Sequence, residues 1–199
     1  MIYMVEMNLI DLSDRPDWDN WYLAHTKMLL SFPGFHATQR FECIHEAKVP
    51  FVALHHVDGI DFFDSHSYKN KAGPSGTGVW RNKMNNWSRN LFDGLETTPN
   101  VKDNEMLVLI EDEAVLGSDQ QLNVYWLTSI GLDMNVERRG LAVTSLSKSS
   151  AISTDTPGVR VLKPIFNRLT KDERKYAPNI YKSIISDYHL DIVFDLPTL

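Results

Sequence analysis

Between Ile2 and Cys43 the hydrophobic period of the chain changes twice, which restricts the folds open to it more than any other feature. Tyr3, Val5, Met7 and Leu9 alternate with Met4, Glu6 and Asn8, the period of two expected of a half-buried strand. Trp18, Trp21, Tyr22, His25, Met28, Leu29 and Phe32 then recur at spacings of three and four, the period of a helix. Ser13 or Asp14 can cap it and Pro16 suits its first turn, while Pro33-Gly34 ends it. From Phe35 to Cys43 the period returns to two, so strand, helix and strand follow one another with almost no loop.

The pattern continues. Residues 50–57 (PFVALHHV) read as a third strand, Ile60 to Tyr68 as a short helix, and residues 83–94 as a fourth strand despite Asn85, Asn86 and Asn90. The order β-α-β-β-α-β is that of a ferredoxin-like unit. The remainder repeats it with a period of about 100 residues, by pattern and not by residue identity. Strands are expected over 106–112, Gly140–Ser147, Val159–Ile165 and Tyr188–Asp195, with helices over 120–131 and Lys171–Ser186. The expected fold is α+β, two tandem ferredoxin-like (βαββαβ) units, residues 1–98 and 99–199. Their uncovered sheet faces close on each other as an α+β barrel.

Charge and cysteine content exclude several functions. The chain has 199 residues, 20 basic and 26 acidic side chains and a formal net charge of −6, with no long Lys/Arg run. Neither nucleic acid nor an anionic membrane surface is an expected partner, since both require clustered cations. The single cysteine, Cys43, permits no intrachain disulfide and no cysteine-based zinc site, and it reads as an inert core thiol. No apolar run approaches the roughly 20 residues of a membrane span, and the first residues alternate like a strand instead of resembling a leader. A reducing cytoplasm is the expected location.

His25 follows Tyr22 by three residues and Trp21 by four, so the three share a helix face. It reads either as a general acid or base, or as a histidine hydrogen-bonded within the core. Adjacent His55 and His56 point to opposite faces of one strand, so only one can enter a cavity. His36 lies on the Arg40 side of its strand, His45 is expected to be exposed in a turn, His66 flanks the short helix, and His189 is alone in the second half. A metal site would need three of these scattered groups to converge, with Glu6 or Glu42 as a further ligand. Trp87 and Arg89 read as a cavity wall that stacks a planar ligand and binds an oxyanion, or equally as a packed Trp and a solvated Arg. Gly73–Gly78 lacks the Gly-Lys-Ser/Thr ending of a phosphate loop and reads as a lid or connector. Arg138-Arg139 reads as a solvated turn pair.

Trp21-Tyr22-Leu-Ala-His25, Pro33-Gly34-Phe35, Gln39-Arg40-Phe41, Pro50-Phe-Val-Ala-Leu-His55 and Phe63 to Ser67-Tyr68 together resemble the dimeric α+β barrel superfamily. The closest resemblance is to EthD-like proteins, with muconolactone-type isomerases and antibiotic-biosynthesis monooxygenases as wider relatives. It covers residues 1–95, and the second half only by element order. The resemblance implies a pocket between sheet and helix and cofactor-free chemistry on small, aromatic-derived or lactone-like compounds. His25 and His55 become the acid/base pair, and Tyr22, Arg40, Trp87 and Arg89 the residues that orient substrate. An isomerase or lyase step is the leading expectation and cofactor-free monooxygenation the next. A haem protein of the same fold, with His55, His56 or His189 as axial ligand, and a non-catalytic ligand-binding module are the alternatives. Members of the superfamily are usually half this length and dimerise to close the barrel. This chain is expected to supply the second sheet itself, with a homodimer as the other arrangement.

Overall fold

A computed structural model describes residues 1–112, 122–150, 152 and 156–171. The elements are β1 (Ile2–Leu9), α1 (Arg15–Leu29), β2 (Phe35–Cys43), β3 (Phe51–Val57), α2 (Asp61–Asp64), α3 (His66–Lys71), β4 (Met84–Asp93), β5 (Glu105–Ile110), β6 (Tyr125–Leu132), β7 (Arg138–Ser145), α4 (Leu146–Ser149), β8 (Val159–Pro164) and β9 (Leu169–Thr170). A 3₁₀ segment, Gly73–Asn82, links α3 to β4. The expected helix at Lys171–Ser186, the expected strand at Tyr188–Asp195 and His189 lie outside the described residues.

The strands pair antiparallel in the order β3-β1-β4-β6-β7-β5-β8-β2, and β2 pairs back to β3, which closes the sheet into a barrel. Within the first half the order is β4-β1-β3-β2, and within the second it is β8-β5-β7-β6. Each half therefore places its fourth, first, third and second strands in the same succession. Two seams join them, Asn90–Asp93 of β4 against Thr128–Leu132 of β6, and Phe41–Cys43 of β2 against Leu162–Pro164 of β8.

Most expected boundaries in the first half agree with the structure, because each element carries its own period. Pro16 sits in the first turn of α1, and Gly34, at φ 81°, turns the chain after it. An added Cβ at Gly34 would also crowd Asp58 and Phe62. The Asn-rich stretch of β4 is a true strand with a bulge. Glu6 faces Ser88 while Asn8 faces Asn85, so β4 carries one extra residue, and Asn86 absorbs it at φ 48°.

The helix expected over 120–131 is a strand from Tyr125. Leu127, Ser129 and Gly131 are buried while Thr128 and Ile130 between them are exposed, so the true period is two. Its aromatic and β-branched residues suit a pleated surface. Gly140 of β7 leaves room for the Trp126 ring, which an added Cβ would meet at 3.0 Å.

Two apolar layers follow from strand alternation. Tyr3, Val5, Met7 and Leu9 face outward and pack under α1 with Trp18, Trp21, Tyr22 and Leu29. Ile2 and Met4 face inward and meet Phe41, Leu54, Phe92, Leu107, Leu109, Leu141 and Leu162 in the barrel interior. Cys43 belongs to this interior layer, and burial raises its pKa. The inward series of β1 ends in Glu6, which is 3% exposed. Two arginines of the second half reach it: Arg139 donates to Glu6 at 3.1 Å, and Arg160 donates through Nη2 to Glu6 Oε1. Arg139 is thus a buried ion-pair residue, 3% exposed, and not the solvated turn residue expected from its neighbourhood. Burial alone would raise the Glu6 pKa, but Arg160 and Arg139 outweigh it and the pKa is lowered. No described helix is long and apolar enough to cross a membrane.

Replacing Glu6 by Gln leaves two guanidinium groups buried without their carboxylate and should cost about 3–5 kcal/mol of stability. Because the folded pKa of Glu6 lies below its ordinary value of 4.5, its contribution is complete above that value and is lost as pH falls through the folded pKa. Urea unfolding of both proteins between neutral pH and pH 3 checks this. A difference below about 1 kcal/mol at neutral pH would remove the ion cluster from the account of stability.

Candidate functional site

The outward face of β1 and the inner face of α1 do not meet everywhere. Tyr3, Val5 and Met7 from β1, Trp21, Tyr22, His25 and Leu29 from α1, and His55 from β3 enclose a small cavity. Tyr68 of α3, Thr77 of the 3₁₀ segment, and Met84 and Trp87 of β4 complete its wall. Its volume is about 30 Å³, room for about one water molecule.

Helical spacing brings His25 here. Its ring stacks on Trp21 at 5.0 Å and meets Tyr22 edge-on at 6.1 Å. Trp80 packs against Trp21 at 5.9 Å and Thr77 lines the cavity, so the 3₁₀ segment covers it beside the histidine. Among the described residues His25 makes these ring contacts and no hydrogen bond. It is half-buried, and desolvation lowers its pKa to about 4.

Strand parity decides between the two adjacent histidines. His55 faces α1 and is 1% exposed, whereas His56 sits half-buried at the barrel end beside His36, 4.8 Å away between ring centres. His55 Nδ1 lies 2.8 Å from Thr38 Oγ1, which fixes the ring and leaves Nε2 as its other polar atom. Tyr3 and Phe35 pack on it at 5.2 and 5.1 Å. Burial, then the proximity of His25 and Arg40, lowers its pKa to about 3.

Three phenols complete the polar inventory. The hydroxyls of Tyr3 and Tyr68 are 3.5 Å apart. Desolvation raises the pKa of both and pushes Tyr22 up to about 12. At neutral pH the cavity therefore holds two neutral imidazoles and three neutral phenols.

Of the residues singled out from the sequence, Tyr22, His25, His55 and Trp87 line this cavity together. Arg40 and Arg89 stand behind it. Arg40, 2% exposed, lies 3.9 Å over the Tyr22 ring and 4.5 Å over Trp18, paired with Asp19 at 3.0 Å. One of its terminal nitrogens, Nη2, is buried with no hydrogen-bond partner. Arg89 packs on Trp87 at 5.0 Å and pairs with Asp133 at 3.3 Å, and its charge partly offsets the upward shift of the Tyr68 and Tyr3 phenols. Sequence reasoning missed Tyr3 and Tyr68 as site residues. Tyr3 was legible only as one outward position of β1, and Tyr68 only as a core contact of a short helix. His45 is half-buried against Cys43 and Val161 instead of exposed. Among the described residues no group of three His, Cys, Asp or Glu is arranged to hold a metal ion. As it stands the cavity, about 30 Å³, is too small for a haem beside His55 and equally for a substrate of aromatic size.

Both histidines should stay neutral far below the ordinary imidazole range. In an NMR titration of ring protons, neither His25 nor His55 should charge above about pH 5. Since their folded pKa values are depressed, the stability they contribute is complete above about 6.5 and is lost as pH falls from there towards 4. A His25 that titrates near 6.5 would contradict its enclosure.

No family model and no curated protein matches the chain. A crystal structure described as that of a "putative monooxygenase" from Lactobacillus acidophilus NCFM is similar over 85% of this chain and 98% of its own. The identity is 13% and the TM-score 0.45, too distant a likeness to bear on activity.

Proposed function

We propose that the chain is a cofactor-independent enzyme that moves a proton on a small carbonyl compound, aromatic-derived or lactone-like. The reading rests on one observation: His25 and His55, both neutral, share an apolar enclosure with the hydroxyls of Tyr3, Tyr22 and Tyr68. A neutral imidazole can accept a proton from the carbon next to a carbonyl. As negative charge grows on the carbonyl oxygen, phenol donors stabilise it where no water competes. Arg40 beneath Tyr22 and Arg89 beside Tyr68 add a positive field without entering the cavity.

Burial, which disfavours a lone imidazolium here, does not prevent the step. The imidazolium and the enolate form together, and each offsets the desolvation of the other. Return of the proton to a different carbon completes an isomerisation. Expulsion of a group beside the carbanion completes a lyase reaction. Cofactor-free monooxygenation begins with the same deprotonation and is the next reading. We read the architecture behind the site as two tandem ferredoxin-like units, a reading that the shared strand succession of the halves supports. Substrate entry requires the Gly73–Asn82 roof to lift, and Gly78, outside helical conformation at φ 52° and ψ −135°, is its natural hinge.

The test is hydrogen exchange in D₂O, followed by NMR, over a panel of cyclic enones, lactones and aryl ketones. At least one compound should exchange faster with the protein than without it. His25→Ala should then slow exchange by about 10²–10⁴-fold. Exchange that changes only a few-fold in the variant, or no exchange across the panel, would remove His25 from the mechanism.

A further inference from the structure

The barrel has a second cavity, on the opposite side of the β1 sheet face and at one mouth of the barrel. It measures about 600 Å³, the size of a small-molecule site. The hairpin after β2, the start of β4, the turn before β7 and the residues leading into β8 form its rim. Glu6, Arg139 and Arg160 line its depth. The side-chain chemistry of the helix–sheet site is neutral, whereas this floor is ionic.

At the floor two cations face one buried anion, while Glu46, Glu111 and Lys48 stand around the rim, so the positive excess is confined to the floor. Two guanidinium groups, 3% and 8% exposed, share one buried carboxylate, Glu6. The second acceptor of Arg139 is Glu111 at 3.0 Å, whose side chain is 54% exposed and stands on the rim. Arg139 Nε is buried with no hydrogen-bond partner, so the donors of that guanidinium exceed what Glu6 and Glu111 accept. Arg160 is held in place from behind, donating to the Val49 carbonyl at 2.9 Å. Above the floor the lining turns apolar through Val49, Val136 and Pro157, with the Trp87 position of β4 at one side.

From this arrangement we infer that the barrel mouth binds a small organic carboxylate with an apolar body. Its carboxylate takes the place of the exposed Glu111 arm on Arg139, and its apolar part lies against the valine and proline wall. Arginine suits this role because its fixed fork of donors matches a carboxylate, which a lysine does not reproduce. Glu111 then acts as a competing internal anion that keeps Arg139 partnered while the mouth is empty. The site shares the Trp87 position with the helix–sheet cavity but none of its titratable residues, and it does not depend on the reaction proposed there.

Isothermal titration calorimetry of the whole chain with benzoate tests the inference. Benzoate should bind saturably with a Kd of about 1 mM or tighter, and benzylamine should not bind. Glu111→Gln removes the competitor and should tighten benzoate about tenfold. Arg139→Lys keeps the charge but not the fork and should weaken it about tenfold, with circular dichroism to confirm the fold. His25→Ala should leave benzoate affinity unchanged, which separates this site from the other. The inference is overturned by no saturable binding at about 10 mM benzoate, or by equal affinity for inorganic phosphate or benzylamine. An unchanged affinity in Glu111→Gln, or loss of binding in His25→Ala, would equally overturn it.

Discussion

The structure depends on the closure of the barrel through the seams between β4 and β6 and between β2 and β8. An open four-stranded sheet leaves unpaired backbone donors and acceptors at both edges and an apolar face without a partner. Here the edges of one half pair with the edges of the other. Ile2, Met4 and Leu54 then bury against Leu107, Leu109 and Leu162. Both candidate cavities are placed by this arrangement. It holds β1 rigidly between β3 and β4, so that its outward residues form one site's floor while its inward residues lead to the other cavity.

Alternation along β1 thus separates two chemistries by the thickness of one sheet. Outward, Tyr3, Val5 and Met7 border a space where charge is disfavoured, and the pKa shifts of His25, His55 and Tyr22 all run towards the neutral form. Inward, Glu6 lies among cations and its shift runs towards the charged form. Burial acts in the same sense on both sides. The difference is the opposite charge supplied by Arg139 and Arg160, which is available only inside the barrel.

What could be read from the sequence was local. The period changes around α1 located β1, α1 and β2, and helical spacing joined Tyr22 to His25, because neighbours three and four apart must share a face. Strand parity lets only one of His55 and His56 into a cavity, but it does not say which. What could not be read was register between distant segments. Arg139 meets Glu6 across 133 positions and Arg160 across 154, and nothing near either arginine marks it as buried. Tyr125–Leu132 was misread because its alternation is weak until the buried positions Leu127, Ser129 and Gly131 are known. The Tyr3 and Tyr68 hydroxyls meet only because α3 folds back over β1, which no local pattern encodes.

Closing the barrel within one chain has a consequence for symmetry. The shared strand succession makes β5 the counterpart of β1, β7 of β3 and β8 of β4. In a two-fold dimer of identical halves every interior residue is duplicated, so two arginines around one glutamate would become four around two. Here the inward positions of β3 are Val52 and Leu54, and Ser88 and Asn90 of β4 sit across from Glu6 and Met4, with no arginine to mirror Arg139 or Arg160. Release from self-complementarity lets the interior be polarised, with acid contributed by one half and base by the other. That lopsided interior is open to a chain that closes the barrel on itself and closed to a two-fold dimer of identical halves.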